Sequence, residues 1–251
     1  MLIENNMKLH VFSTLKRHLG GFSAALVILL SIAAGHGQTY SISGDYSTTS
    51  DPTGVWSYGW IASLGASLNL YTVNFSVPGQ SGSNSAWNSG GGSTSDPAFG
   101  NNSSGTTYVN GDFTEPTGWA FFAPGVDDTD LSDVRFTAPN AGSYNLNLAF
   151  EGAQSEPTDT DVYVFTNGSD LYSANVDGFG GSSEQTYNGT VSLTAGQTVE
   201  IAVGHGPGQS IGNYDNTNVQ GTITAVPEPS TWGMLIVGAG SMLGFLHRRR
   251  R

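Results

Sequence analysis

Between Tyr144 and Phe150 every second position is large and apolar (Tyr144, Leu146, Leu148, Phe150), with Asn145, Asn147 and Ala149 between them. Successive side chains of a strand point to opposite faces, so this alternation predicts a strand buried on one side only. Val199, Ile201 and Val203 repeat it around Glu200 and Ala202, and Val134 and Phe136 repeat it around Arg135. The dipeptide Asn167-Gly168 separates the runs Val162–Phe165 and Leu171–Ala174. Both of its residues tolerate positive φ, which predicts a tight hairpin. Further strands are expected at Leu70–Val77, Trp119–Phe122, Tyr187–Leu193 and Val219–Ala225. No helical repeat occurs from Gln38 to Val226, and Gly, Asn, Ser and Thr fill the gaps between the runs. Such a chain is expected to be all-β, folding as an antiparallel β-sandwich of jelly-roll type.

One stretch lacks the pattern. Residues 78–111 are mostly Ser, Gly, Asn and Thr, with Trp87, Phe99 and Tyr108 as isolated aromatics. This composition predicts a long loop or a partly ordered insertion, whose rings either anchor it to the sandwich or stack on a ligand.

The two ends follow other rules. Lys8, Lys16 and Arg17 precede an apolar stretch from Phe22 to Ala34 and the small residues Gly35 and Gly37. That is the order of a secretory signal peptide, expected as a helical leader over residues 1–37 and cleaved between Ala34 and Gln38. At the other end Pro227-Glu228-Pro229 forms a stiff extended spacer, because each proline fixes φ and disfavours helix at the residue before it. An apolar run from Thr231 to Leu246 follows, interrupted by Gly238, Gly240 and Gly244, and then His247 and the arginines Arg248, Arg249, Arg250 and Arg251. The run is shorter than the roughly 20 residues of a stable span. The arginines would stay cytoplasmic under the positive-inside bias.

In that order, the Pro-Glu-Pro triplet, apolar helix and arginine cluster of residues 226–251 resemble the PEP-CTERM sorting signal of Gram-negative bacteria that make exopolysaccharide. The resemblance implies a transient stay in the inner membrane and recognition by a transpeptidase of the exosortase type. It also implies delivery to the cell surface or extracellular matrix. Three segments are then expected: leader 1–37, sandwich 38–225 and sorting signal 226–251.

Charge narrows the partners. Of eight Lys and Arg residues, three lie in the leader and four in the tail, so Arg135 alone remains between Gln38 and Val226. The same segment holds every acidic residue except Glu4 and Glu228, eighteen of twenty. A body this acidic does not bind nucleic acid by neutralising phosphates, but it can attract cations. The absence of cysteine removes disulfides, thiolate catalysis and cysteine metal sites together.

Hard oxygen ligands are concentrated in two places. Asp127, Asp128, Asp130 and Asp133 lie within seven residues, and Asp159 and Asp161 precede a strand. Calcium suits such groups, with Asp177 and Asp215 in other loops able to complete a site, although the spacing is not that of an EF-hand. The alternative is that these aspartates cap turns. His205, in Gly204-His205-Gly206-Pro207-Gly208, is the one histidine outside the leader, its cleavage region and the tail, and no nucleophile elbow accompanies it. Glu151, Glu156, Glu184 and Glu200 are candidates for a glycosidase pair, but no local context singles out two of them.

Trp56, Tyr58 and Trp60 alternate, so on a strand their rings share a face. They could form a ligand-binding platform on which sugars stack, or they could be core. The tract Gly54–Trp60, the segments Val134–Pro139 and Ala141–Tyr144, the pair Asp161-Val162 before the Asn-Gly turn, and Leu193–Val199 resemble a recurrent exported β-sandwich domain that precedes this tail. That resemblance implies an architecture like a carbohydrate-binding module and supplies no shared catalytic residues to carry over. The expectation is an exported, non-enzymatic surface or matrix protein, structural or associated with exopolysaccharide. The alternative is a secreted carbohydrate-active hydrolase.

Overall fold

The alternating segments are strands in the computed structural model, which describes residues 37–90, 97–126, 129–156, 158–206, 215–227 and 249. In chain order they are β1 (Thr39–Ser41), β2 (Trp56–Ile61), β3 (Asn69–Leu70), β4 (Val73–Pro78), β5 (Ser83–Asn88), β6 (Ala98–Asn101), β7 (Tyr108–Asn110) and β8 (Phe113–Glu115). There follow β9 (Ala120–Ala123), β10 (Leu131–Thr137), β11 (Gly142–Gly152), β12 (Thr158–Thr166), β13 (Ser169–Gly178), β14 (Gly180–Leu193), β15 (Thr198–His205) and β16 (Thr217–Ala225). The larger sheet runs β14-β11-β16-β9-β6-β5-β4, with β1 added to β16; the smaller runs β13-β12-β15-β10-β2-β3. β7 and β8 form a separate hairpin. From β10 onward the chain passes back and forth between the sheets, as a jelly-roll winding requires.

The core lies between the two inner faces. Tyr144, Leu146, Leu148 and Phe150 of β11 belong to the same buried cluster as Val199, Ile201 and Val203 of β15 and Val134 and Phe136 of β10. Burying each such side chain contributes about 1.5–3 kcal/mol, so this alternation is enough to hold the two sheets face to face. Aromatic rings fill the centre. Tyr58 stacks on Phe99 at 5.1 Å, and Phe136 touches Tyr40, Trp56 and Tyr144. Among the described residues every strand and every cluster residue lies within Gln38–Val226, which forms one compact unit by itself.

The predicted hairpin is present. β12 pairs with β13 across Asn167 and Gly168, which have φ of 51° and 74°, the values an Asn-Gly turn needs. Two expectations need correction. The single strand at Leu70–Val77 is split, because the N–H of Tyr71 donates to Tyr58 O in the smaller sheet while that of Thr72 donates to Asn88 O in the larger. The chain crosses between sheets there, with Tyr71 2 % exposed.

Residues 78–111 are not one long loop. They contain β5, β6 and β7, and β5 and β6 lie inside the larger sheet. Their composition misleads because each strand buries only a few large side chains toward the core, Trp87 and Phe99, and its other face is filled by Ala86, Asn84, Asn88 and Gly100. That face is covered by the β7–β8 hairpin, whose Phe113 packs on Tyr108 and Phe121. Trp87, Phe99 and Tyr108 are all buried anchors, and the Trp87 indole N–H donates to Ser47 O at 2.6 Å. The leader, the tail helix and the arginine cluster, apart from Gly37 and Arg249, lie outside the described residues.

Candidate functional site

The period-two pattern that fills the core also fixes what faces outward. On β11, β14 and β16 the residues between the core positions are Asn145 and Asn147, Thr186, Asn188, Thr190 and Ser192, and Gln220, Thr222 and Thr224. Their register makes one surface: Asn147 sits between Asn188 and Thr222, and Asn145 between Thr190 and Thr224, with Thr190 Oγ1 donating to Asn145 Oδ1 at 2.7 Å. No charged side chain occurs in Ser143–Ala149, Gln185–Leu193 or Val219–Ala225. In so acidic a body this is an uncharged field of amides and hydroxyls.

A groove of about 360 Å³ crosses this field. Asn147, Ala149, Gln220 and Thr222 form its floor, and Ser41, Ser43 and Gly118 its wall, where the Ser43 hydroxyl donates to Gly118 O at 2.7 Å. Amides and hydroxyls both donate and accept, as sugar hydroxyls do, and no fixed charge prescribes the sign of a ligand. The sequence displayed these residues only as the polar half of a strand alternation. Their convergence depends on strand order, with β16 placed beside β11 although 65 residues separate the paired Gly152 and Thr217.

Glu115 and Asp133, two acids with perturbed protonation, lie elsewhere. Glu115, at the end of β8, is sealed at 0 % exposure beneath the outer side of the larger sheet. Burial pushes its carboxyl up to about 8, against hydrogen bonds from Asn84 Nδ2 and the Asn102 N–H at 3.3 and 2.7 Å. Asp133 on β10 is also fully buried, and neither carboxylate oxygen has a hydrogen-bond partner among the described residues. Burial raises it well above the usual carboxylate range, with Glu200 adding to the rise and Arg135 opposing it. Arg135 itself pairs with Glu200 at 3.0 Å. Glu151 of β11 is raised by burial against the Asn218 hydrogen bond, and Glu184 adds to the rise.

The aromatic tract does not form an open platform. Trp56 and Tyr58 are 1 % and 0 % exposed, Trp56 edge-on to Phe136 and Tyr58 stacked on Phe99, while Trp60 is half-buried against the same core. A stacking platform needs free ring faces, so the reading of Trp56 and Tyr58 as ligand-binding gives way to core.

Asp130, Asp133, Asp159 and Asp161 are not brought into one site. Among the described residues no three His, Asp or Glu side chains gather to hold an ion, and Asp127 and Asp128 lie outside those residues. Asp159 and Asp161 share the amide of Asn175, at 2.7 and 3.2 Å, and so tie β12 to β13. His205 ends β15, its Nδ1 2.7 Å from Asp215 Oδ2 and its Nε2 on Gly125 O. A carbonyl only accepts, so Nε2 carries a proton, and the ring ties the loops of Gly125 and Asp215 together. Pro227 follows the exposed Val226, and Glu228, Pro229, Arg248, Arg250 and Arg251 lie outside the described residues.

The fold and tail define an exported antiparallel β-sandwich. Residues 225–251 match the family model of the PEP-CTERM protein-sorting motif, which indicates export and membrane-anchored sorting in Gram-negative bacteria. No curated protein matches the chain. Among solved structures it is similar to a family 51 carbohydrate-binding module of Clostridium perfringens in complex with methyl-galactose, at 12 % identity over 74 % of this chain and 100 % of that one, TM-score 0.31. It is also similar to the C-terminal family 6 module of a laminarinase from Zobellia galactanivorans, at 12 % identity over 61 % and 92 %, TM-score 0.26. A third is a family 4 module, with 17 % identity over 46 % and 76 %, TM-score 0.29. At these scores the likenesses carry no residue and no ligand across to this chain.

Proposed function

We propose that this protein is an exported, non-enzymatic component of the cell surface or extracellular matrix that associates with neutral polysaccharide through the uncharged groove of its larger sheet. The groove's composition carries the reading: Asn147, Gln220, Thr222 and Ser41 present paired donors and acceptors without a charge, inside a body whose carboxylates repel polyuronates. Replacing Asn147 and Gln220 together by alanine removes two exposed amides. Retention in affinity electrophoresis through the host's neutral extracellular polysaccharide should weaken about tenfold, since each lost hydrogen bond contributes about 0.5–1.5 kcal/mol. The melting curve should stay within about 0.5 kcal/mol of wild type, as for other surface changes. Unchanged retention by a folded double variant would remove the groove from the reading.

The tail supports processing by an exosortase-type transpeptidase during a transient stay in the inner membrane. Intact-mass measurement of protein recovered from the cell surface should show a chain lacking Arg248–Arg251. A full C-terminus on the surface form would contradict that step. We also propose that Asp127 and Asp128 help to hold calcium, in which case excess chelator should lower the thermal midpoint, because an ion that binds only the native state stabilises it. A melting curve that chelator leaves unchanged would return them to turn capping.

A second reading, a glycan hydrolase, has one observation behind it. Glu151 lies two residues along β11 from the groove residue Ala149 and is raised above its ordinary range by burial. Turnover of a glycan by wild type and its loss in Glu151→Gln would establish that reading over the first.

A further inference from the structure

A bare sheet edge offers unpaired backbone N–H and C=O groups to any other strand, and proteins blunt such edges with short strands, charges, prolines and bulges. Most edges of this sandwich are blunted. β1 and β3 are three and two residues long, and β4 ends in Pro78, which has no N–H to donate. β13 carries exposed Asp170 and Asp177, and the β12–β13 register shifts between Val164 and Phe165. β14 differs from all of these. From Gln185 to Leu193 it has no charge and no proline, and its register with β11 continues without a bulge from Phe150↔Gln185 to Gly142↔Leu193. Among the described residues β11 is its only neighbour in the sheet, which leaves its other edge open.

We propose that β14 pairs antiparallel with β14 of a second copy, about a two-fold axis near Gly189, joining the two larger sheets into one. The charge distribution argues for this occupant. With eighteen acidic residues against Arg135 in Gln38–Val226, two copies repel over most of their surfaces, and a neutral edge lets them meet without opposing carboxylates. Pairing a strand with its own copy is self-complementary, so it closes as a dimer and does not propagate into a filament. The inference goes beyond the glycan reading and does not rest on it, although the joined sheets would place two uncharged outer faces side by side.

Sedimentation equilibrium of Gln38–Val226, which contains the whole sandwich, tests it. The expected result is a reversible rise to roughly twofold the monomer mass as concentration increases, and stronger association at high ionic strength, where acidic repulsion is screened. The double substitution Asn188→Glu and Thr190→Glu puts like charges opposite each other across the proposed axis and should leave a monomer. Ser169→Glu, exposed on β13, serves as the control and should dimerise as wild type does. Because Thr190 bonds Asn145, the pair Thr186→Glu and Ser192→Glu, exposed positions that also oppose each other across the axis, repeats the test without disturbing that contact. A wild type that stays monomeric at all concentrations and salts, a dimer that survives either glutamate pair, or equal loss in the Ser169→Glu control would each overturn the proposal.

Discussion

Taking the Gln38–Val226 sandwich from pH 8 down to pH 4.5 should raise its unfolding free energy, by up to about 5 kcal/mol from Glu115 alone. The sign follows from the two states. In the unfolded chain the carboxyl titrates near 4.5, and in the folded protein burial pushes it up to about 8, so the folded state holds the proton over that interval. Its contribution to stability is therefore fully present below about 4.5 and is lost as the pH rises through about 8. Asp133, raised in the same direction by burial, adds to the slope, and so does relief of repulsion among the other acids. Thermal melts across this range check it. Glu115→Gln should flatten much of the dependence and stabilise the protein at pH 8, because the amide needs no proton to remain neutral. A wild-type midpoint that rises between pH 4.5 and 8 would mean that the Asn84 and Asn102 donors outweigh desolvation.

The second large effect is at Trp56. Trp56→Ala should cost about 3–5 kcal/mol, the cavity range for a buried aromatic, since the ring is 1 % exposed and packs edge-on to Phe136. Trp60→Ala, four residues along the same strand, should cost less, about 1–2 kcal/mol, because a half-buried ring loses less contact and leaves a site open to water. Urea melts of the two variants give the comparison, with glycan retention measured on the same preparations. Equal costs at the two positions would show that Trp60 is as deeply seated as Trp56. Lost retention in a stable Trp60→Ala variant would show that its exposed part touches the ligand.

The most legible strands in the chain were those with one wet and one dry face. β11 and the β12–β13 hairpin meet that condition, and their apolar residues fall at every second position; β15 also alternates, although Glu200, Ala202 and Gly204 on its second face are buried too. β5 and β6 do not meet the condition. The hairpin β7–β8 covers their second face, so that both faces are buried, but small and polar side chains do much of the filling. Ala86, Asn84 and Gly100 pack there because Phe121 and Phe113 come from other strands, and composition read within one segment cannot register a neighbour's volume.

The sequence by itself determined the class of fold, the Asn-Gly turn, the acidity of the body and the sorting motif at the C-terminus. Each depends on residues near one another in the chain: alternation sets the faces of a strand, a positive φ sets a turn, and a tripartite tail is contiguous. Only the tertiary structure decided that Trp56 and Tyr58 are core and that Glu115 and Asp133 are sealed from water. It also decided that Asn147, Gln220 and Ser41 meet along one groove. Those outcomes depend on which strands become neighbours across long loops, and on what covers each outer face. Both are set by the packing of the whole sandwich, where the burial of one strand is supplied by side chains far away in sequence.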